Sequence, residues 1–347
     1  RGRRVRHRKA GRDMKIGRLS ESALRTMAAK KFDVRCREVP KGSGIGKDCA
    51  LLQLEKDASV VITEDLLQRI PMAYMGQSGI LASANHLAAA GAKPIGVMVT
   101  ALFPEDTKKQ QIEQVIREIC GTCQKLSMAI LEGHTEVTEA VNQPLLSVYG
   151  VGKSAGDRNL YKKALPGQDI VVTKQIGLEG TGILAWDREK ELSDRFPSLF
   201  LARAKDCLED LLAAEEARMA QESASYMAAL GEKGIYGALW ELSRESGVGL
   251  EIEIEKIPIR QQTIEICEFY DLNPYQMMSG GSLIIAAEDG QGLARKLHEH
   301  GIQAAVIGRT TASKDKLIYR QGKPANLEIT KQDECHRLYA EWKKKKE

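Results

Sequence analysis

The chain has 347 residues, of which 43% are hydrophobic and 28% charged, and its formal net charge is +4. Five Phe and three Trp are too few for an aromatic nucleic-acid platform, and the composition excludes a fibrous or low-complexity protein. The length exceeds one ordinary core and predicts two domains, each able to bury a core of its own.

Positive charge is concentrated at the two ends of the chain. Residues 1–13 contain seven Lys or Arg and one Asp. They lack the apolar block of a signal peptide, so we interpret them as a disordered leader or a mis-assigned start before Met14, with RNA or membrane binding as the weaker alternative. The run Lys343 to Lys346 predicts a solvated terminus, and residues 331–347 as a whole are interpreted as a basic C-terminal tail.

No apolar run approaches the roughly 20 residues that cross a bilayer. The seven cysteines are odd in number and scattered along a chain long enough to fold without disulfides. We therefore expect a soluble, cytoplasmic protein in a reducing compartment.

Short β-rich runs alternate with helical stretches in the first half. Strands are predicted at residues 49–54, 59–63, 94–103, 128–132 and 144–151, and helices at 76–91 and 107–126. Apolar residues form one stripe along the second helix, which predicts packing on a sheet. Cys120 and Cys123 lie on this stripe, so core packing is favoured over a redox pair or half a zinc site.

A glycine-rich break predicts a domain boundary near Gly156, which separates an N-terminal domain (14–156) from a C-terminal one (157–330). In the second part we predict a strand at 170–174, a turn at 177–182 and helices at 198–222 and 237–246. An alternating strand at 248–254 and a strand–helix–strand unit at 282–308 follow. The fold class is therefore α/β with mixed sheets.

A glycine-rich loop precedes the first strand and contains Gly44, Gly46, Lys47 and Asp48. Glycines let the backbone approach a phosphate, a lysine neutralises its charge, and Asp48 is a candidate Mg²⁺ ligand. The spacing is not that of a Walker loop, and a strand rather than a helix follows. A plain flexible turn is an equally good interpretation of this loop alone.

Polar groups also mark the next strand and helix. Thr63 and Asp65 stand at the predicted end of strand 59–63, where open α/β proteins place ligands, although a helix cap or solvated turn is the alternative. Asn85 and His86 lie on an alanine-rich helix and could face a phosphate or metal. A lone histidine there is more often a surface or core residue.

Three polar residues follow the predicted strand 128–132, namely His134, Thr135 and Glu136. Mg²⁺ takes few protein carboxylates and completes its shell with phosphate oxygens and water. This cluster therefore suits a metal–nucleotide complex.

The order of these four segments resembles the aminoimidazole ribonucleotide (AIR) synthetase superfamily. The segments are a Gly-rich loop ending in Asp-x-Ala, a Thr-x-Asp strand end, an Asn-x-Leu-Ala-Ala-x-Gly-Ala-Lys-Pro helix and Gly-x-Thr-Glu. The resemblance continues through residues 177–181, 246–249, 256–259, 279–283 and 305–308, and it covers about Met14 to Tyr319.

The resemblance implies ATP and Mg²⁺ as cofactors, and a homodimer in which each N-terminal domain forms half of a β-barrel. The C-terminal domain would be a helix-covered sheet, with the nucleotide between the domains. By the same resemblance, the metal would be held by Asp48 and Asp65 and supported by Glu136. The implied nucleotide contacts are Gly44, Gly46, Lys47, Thr63, Asn85, His134 and Thr135.

Members include AIR synthetase, selenophosphate synthetase, thiamin-monophosphate kinase and the hydrogenase-maturation protein that dehydrates a carbamoylated C-terminal cysteine. Residues 256–259 look most similar to the hydrogenase-maturation branch, but no cysteine ends this sequence, so we do not expect that reaction. Lys47, His86 and His134 stand where the family commonly has acids. Its Asp-x-Thr-x-Gly-Gly segment is altered at residues 232–237.

Two functional hypotheses follow. The first is an ATP-dependent phosphoryl-transfer enzyme whose acceptor is a small molecule or a protein terminus. The second is a non-catalytic nucleotide-binding, assembly or maturation protein with a degenerate metal site, because each lost carboxylate removes a possible Mg²⁺ ligand. Neither a nucleic acid nor a membrane is an expected partner.

Overall fold

The computed structural model describes residues 49–55, 58–154 and 162–346, which form two sheets with helices packed on them. The predicted boundary at Gly156, the leader 1–13 and the glycine-rich loop with Gly44, Gly46, Lys47 and Asp48 lie outside these residues. The mixed α/β class predicted from the sequence is confirmed.

The first sheet has five strands in the order β1-β2-β5-β3-β4. The strands are β1 (Cys49–Glu55), β2 (Ala58–Gln68), β3 (Lys93–Phe103), β4 (Ala129–Val137) and β5 (Leu145–Ser154). All pairs are antiparallel except β3 with β4, which is parallel.

Helices α1 (Met72–Ala89) and α2 (Lys109–Lys125) cover one face of this sheet. Val61, Val97 and Val148 face these helices and are buried. On the opposite face Leu66 and Tyr149 are exposed, so the described residues leave that face open. Every residue of the edge strand β4 is exposed.

The second sheet has seven strands in the order β12-β11-β8-β10-β6-β9-β7. The strands are β6 (Asp169–Thr173), β7 (Ala224–Ala229), β8 (Gly249–Glu253), β9 (Leu283–Ala287), β10 (Ala304–Thr311), β11 (Lys316–Arg320) and β12 (Lys323–Asn326). Its central strands β6 and β9 are apolar throughout their middle and buried on both faces, as in helix-covered sheets.

The remaining helices belong to this second part of the chain. They are α3 (Leu178–Asp187), α4 (Glu189–Ser193), α5 (Ser198–Lys205), α6 (Ala214–Ala220), α7 (Gly234–Ser246), α8 (Gln261–Tyr270), α9 (Gly290–Glu299) and α10 (Glu334–Lys346). Two apolar clusters, one on each face of the sheet, make up most of its core.

The single helix predicted over residues 198–222 is wrong, because the chain breaks into α5, a 3-10 turn (Asp206–Asp210) and α6. Tertiary contacts take the backbone groups that a continuous helix would use. Lys174 Nζ donates to the carbonyls of Asp210 at 2.8 Å and Leu212 at 2.5 Å. The Asn85 side chain donates to Leu211 O and accepts from Ala213 N. Local helix propensity is overridden there.

Three further expectations differ from the structure. The turn predicted at residues 177–182 is mostly helical, because residues from Leu178 onward form α3. Residues 334–346 form α10, in which Cys335 and Leu338 are buried and Arg188 lies 3.6 Å from the centre of the Trp342 ring, so this segment packs on the protein rather than forming a solvated tail. Its apolar residues recur every three or four positions, which is a helical stripe. Of the cysteine pair, only Cys123 is buried; Cys120 is exposed.

Candidate functional site

Thr63 and Asp65 lie inside β2, not at its end, because β2 continues to Gln68. The strand extends further than predicted because residues 64–68 find partners on β5, from Tyr149 to Leu145. Both side chains point toward α1, and Thr63 is almost fully buried. The predicted strand-end position of these two residues is therefore wrong. Their position next to α1 brings them close to the predicted helix motif, which contains His86.

Asp65 contacts His86 in the last turn of α1. The distance from His86 Nδ1 to Asp65 Oδ1 is 2.9 Å, and the side chains are 16% and 10% exposed, respectively. The second carboxylate oxygen, Oδ2, is buried and has no hydrogen-bond partner among the residues that the structure describes. A buried carboxylate oxygen left in this state costs free energy unless a cation or donor reaches it.

Two buried hydroxyl groups lie on the same two elements as this pair, one on β2 and one on α1. Thr63 Oγ1 and Ser83 Oγ also lack a hydrogen-bond partner within the described part of the chain. Both residues border Gly150 on β5, where an added Cβ atom would collide with Ser83 Oγ and lie 2.9 Å from Thr63 Cγ2. Gly150 is therefore required by the close approach of β5 to α1.

Asn85 has a different environment from its neighbour His86. Its Nδ2 donates to Leu211 O at 2.7 Å, and its Oδ1 accepts from Ala213 N at 2.8 Å. The side chain is buried, and both halves of the amide bind backbone groups between Leu211 and Ala213. Asn85 thus joins α1 to the second part of the chain, and its phosphate-binding role stays a prediction.

His134, Thr135 and Glu136 lie within β4, whereas the sequence predicted that they follow a strand. Parallel pairing with β3 from Thr100 to Leu102 extends β4 past them. His134 Nε2 lies 2.9 Å from Glu136 Oε2, and both side chains are more than half exposed.

The strand register separates Asp65 from Glu136 within one chain. Asp65 pairs with Val148, Val148 with Val99, and Val99 with Gly133, so β2 and β4 are three strand spacings apart. At 4.7–4.9 Å per spacing this is about 14 Å. Glu136 pairs with Leu102 and faces away from the helices, whereas Asp65 faces them. A single chain does not bring these two predicted metal ligands together.

The second part of the chain contributes a turn beside Asp65. Gly177 has φ 72°, a conformation that favours glycine, and it begins α3. Its N–H donates to Ser279 Oγ at 2.8 Å, and Gly280 N donates to Glu179 Oε2 at 3.1 Å. Two segments that carry the sequence resemblance, 177–181 and 279–283, therefore bind each other.

Glu179 connects this turn electrostatically to the Asp65 and His86 pair. Burial raises the pKa of Glu179 to about 7, the hydrogen bond from Gly280 opposes the rise, and the negative charges of Glu232 and Asp65 add to it. The charge of His86 acts in the opposite direction. Acidic groups from both parts of the chain thus share one electrostatic environment.

Sequence reasoning missed Asp333, which belongs to the same environment. Its Oδ2 accepts from Lys233 N at 2.9 Å at the start of α7, and its Oδ1 accepts from Cys335 N at 2.9 Å. The pKa of Asp333 is raised to about 8, mainly by burial. The negative charges of Glu232 and Glu179 raise it further. An Asp immediately before an apolar helical stripe is a capping signal that could have identified it.

The described residues do not by themselves form a metal site. Within residues 49–55, 58–154 and 162–346, no three His, Cys, Asp or Glu side chains are grouped closely enough to hold a metal ion. Asp65 fits Mg²⁺ chemically because its free Oδ2 is a hard, buried oxygen ligand.

No helix in these ranges is long and apolar enough to cross a membrane.

Comparisons with known proteins agree with this architecture. A putative hydrogenase expression/formation protein of Methanocaldococcus jannaschii is 26% identical over 310 residues, covering 85% of this chain and 88% of that protein. The structure of the hydrogenase maturation protein HypE in complex with ATP matches with a TM-score of 0.67 at 18% identity, over 91% of this chain and 96% of that one. The thiamine monophosphate kinase AaThiL, complexed with AMPPCP and TMP, has a TM-score of 0.67 at 20% identity, over 90% and 96%.

Family assignment rests on matches to both parts of the chain. Residues 46–154 match the N-terminal domain described as AIR synthase related protein, and residues 166–320 match the corresponding C-terminal domain. These two ranges contain the five-stranded and most of the seven-stranded sheet. The chain belongs to the AIR synthase-related family, as the order of its sequence motifs indicated.

Proposed function

We propose that this protein binds ATP with Mg²⁺ and transfers a phosphoryl group to an acceptor that is a small molecule or a protein terminus. The observation that carries the proposal is the buried Oδ2 of Asp65, which has no hydrogen-bond partner among the described residues and belongs to the same environment as Glu179. The ATP and AMPPCP complexes of similarly folded proteins support nucleotide binding by this fold.

In this proposal Asp65 and Asp48 hold Mg²⁺ on the triphosphate. The loop residues Gly44, Gly46 and Lys47 cradle the phosphates, and Thr63 completes the same side of the site. Phosphoryl transfer depends mainly on positioning and charge neutralisation, so no covalent catalyst is required of the protein. Asn85 acts by fixing α1 against the backbone at Leu211 and Ala213, because its amide is fully engaged there.

The roles of His134, Thr135 and Glu136 depend on a second copy of the chain. We propose a homodimer in which the open face and the β4 edge meet the same surfaces of a partner, forming the β-barrel that the resemblance implies. Support comes from exposed apolar side chains there, including Leu66, which is 49% exposed, and Leu131, which is 53% exposed. Unpaired strand edges and contiguous apolar surfaces favour such association.

The Asp65 role is tested by replacing it with asparagine. Asp65→Asn keeps the size of the side chain but removes its charge, so ATP affinity measured by calorimetry should fall at least tenfold with Mg²⁺ (about 1.4 kcal/mol) and change little without it. The matched control is Asp194→Asn, on an exposed residue that has no ion pair among the described ones. Equal Mg²⁺-dependent affinity in parent and Asp65→Asn would refute the metal assignment.

A second function is favoured by the His86 contact. His86 Nδ1 approaches Asp65 Oδ1 at 2.9 Å and so occupies one of the two oxygens that a metal would use. Lys47 also puts a positive charge next to Asp48, where the family commonly has an acid. The site would then hold a nucleotide without turnover, and the protein would act in assembly or maturation. Saturable ATP binding without ADP formation in the presence of candidate acceptors would select this function. We also propose a cytoplasmic location, which the free thiols of the described cysteines support.

A further inference from the structure

Residues 210–213 run from the end of the 3-10 turn to α6 and contact both halves of the candidate site. Asn85 of α1 binds this segment with both ends of its amide, and the next residue along α1 is His86. Gly281 (φ 94°) packs so closely on the segment that an added Cβ atom would lie 2.7 Å from two of its backbone atoms. Gly281 belongs to the turn that binds Glu179. One short segment therefore joins the helix that carries His86 to that turn.

Lys174 holds this segment from the residue that directly follows β6. Its ammonium group donates to Asp210 O at 2.8 Å and to Leu212 O at 2.5 Å, and it lies 3.0 Å from Glu216 Oε1 on α6. These three contacts match the three N–H donors of an ammonium group. Together with Asn85, Lys174 binds a backbone group of each of the four residues in the segment.

The contact between Lys174 and Glu216 is a buried ion pair. The Glu216 side chain is 3% exposed and that of Lys174 is 21% exposed. A carboxylate at such a depth is costly unless a positive charge or a hydrogen-bond donor reaches it, and removing one partner of a buried pair is strongly destabilising. The charge of Glu216 therefore keeps the Lys174 ammonium group where it reaches both carbonyl groups of the segment.

The backbone of Lys174 is unusual for its residue type. Its φ is 52°, in the left-handed region that glycine adopts freely and other residues adopt at a cost. Such conformations persist where the surrounding contacts hold them, and they are concentrated at functional sites. The N–H of Lys174 donates to Gln303 O at 2.6 Å, which fixes this backbone next to β10. A glycine would suit the conformation but would lack all three side-chain contacts.

We propose that Lys174 and Glu216 are positioning residues for the pair formed by His86 and Asp65. They hold residues 210–213, to which α1 is bound, and so set the place of the imidazole against the carboxylate that would bind Mg²⁺. Neither of them contacts the nucleotide in this arrangement. The expected effect on ATP rests on the proposed function, whereas the effect on His86 is measurable without any nucleotide.

Lys174→Met tests the proposal because it keeps the length of the side chain and removes all three contacts of the ammonium group. The imidazole resonances of His86, followed by NMR in the full chain with isotopically labelled histidine and assigned with His86→Gln, should move from their parental positions. In calorimetry the affinity for ATP with Mg²⁺ should fall roughly fivefold or more, whereas the affinity without Mg²⁺ should change little.

A second variant separates position from folding, because Lys174→Met leaves the Glu216 carboxylate buried without its cation. Lys174→Met combined with Glu216→Met removes both charges, and apolar replacement of a buried ion pair is often neutral or stabilising. This double variant still lacks the contacts to residues 210–213, so it should show the same His86 shift and the same loss of affinity. Glu216→Gln alone keeps both carbonyl contacts of Lys174 and should have a smaller effect.

Leu242→Ala is the matched control for a loss of stability. Leu242 is fully buried, and it belongs to a different apolar cluster from Leu211 and Ala213. Its truncation should lower the unfolding midpoint, because it leaves a cavity in the core. The His86 resonances and the ATP affinity should stay parental in this variant.

Unchanged His86 resonances in both Lys174 variants would overturn the proposal. A shift that Leu242→Ala reproduces would overturn it as well, because the shift would then follow from lost stability alone. Parental Mg²⁺-dependent affinity in both Lys174 variants would refute the link to the nucleotide. If the parent binds no ATP while His86 moves in both variants, the proposed function fails and the positioning of the His86 and Asp65 pair stands.

Discussion

His86 Nδ1 lies 2.9 Å from Asp65 Oδ1 and links the last turn of α1 to the middle of β2. The contact places an imidazole against the carboxylate that the proposed Mg²⁺ would need. It leaves Asp65 Oδ2 as the buried oxygen with no hydrogen-bond partner among the described residues. The proposed binding of a nucleotide through Mg²⁺ therefore depends on this pair.

Replacing His86 by aspartate should make the site depend on a cation. His86→Asp puts two carboxylates side by side, so the free energy of unfolding without Mg²⁺ should fall by about 1 kcal/mol or more. Adding Mg²⁺ should recover more stability in this variant than in the parent. The measurement is thermal unfolding with and without MgCl₂, with Asn142→Asp, at an exposed loop residue, as control. A loss that Mg²⁺ does not reduce would contradict the metal position.

Asn85 is expected to contribute to the free energy of unfolding whether or not a ligand is bound. Asn85→Ala removes two hydrogen bonds and leaves Leu211 O and Ala213 N without their partner, which should cost about 2–4 kcal/mol. Denaturant unfolding measures this directly. The exposed Asn142→Ala should change stability by less than about 0.5 kcal/mol. A loss as small as that of the control would show that the two backbone contacts contribute nothing.

The approach of β5 to α1 predicts coupling between Gly150 and Ser83. Gly150→Ala should destabilise the protein by about 1–3 kcal/mol because its Cβ collides with Ser83 Oγ. Adding Ser83→Ala removes that oxygen and should recover part of the loss. A double-mutant cycle in denaturant should therefore give a coupling above about 0.5 kcal/mol. Strict additivity would mean that Thr63 Cγ2 and Leu87 Cδ1, rather than Ser83 Oγ, limit the space.

Asp333 predicts a fall in stability as pH rises. Burial raises its pKa from 3.8 to about 8, so the folded state keeps a proton that the unfolded state has lost between these values. The group therefore favours folding fully below pH 4, and its contribution declines by about 1.4 kcal/mol per pH unit up to about pH 8.

Asp333→Asn removes this titration, so the free energy of unfolding of the variant should decline less between pH 5 and pH 8 than that of the parent. Denaturant unfolding at several pH values measures the difference, and Asp194→Asn should retain the parental slope. Parallel curves for parent and Asp333→Asn would show that the buried carboxyl group is ionised throughout, held so by the N–H groups of Lys233 and Cys335.

The amino-acid sequence by itself predicted most strands of both sheets and the family to which the chain belongs. Short β-rich or alternating runs predicted β1 to β6 and β8 to β10 but not β7, and the 3.6-residue stripe predicted α2, because these patterns report local burial. The spacing of Asn85 before the Gly-Ala-Lys-Pro turn carried the resemblance that the family matches confirmed. Short-range patterns are sufficient for such conclusions.

Only the tertiary structure decided which of the candidate residues meet. The separation of Asp65 from Glu136 follows from strand register, since β2 pairs with β5 across about 80 residues of chain, and no local pattern specifies that pairing. The break at residues 206–213 depends on Lys174 and Asn85, which are distant in sequence. Contacts between distant residues override local propensity because burial leaves their polar groups no other partners.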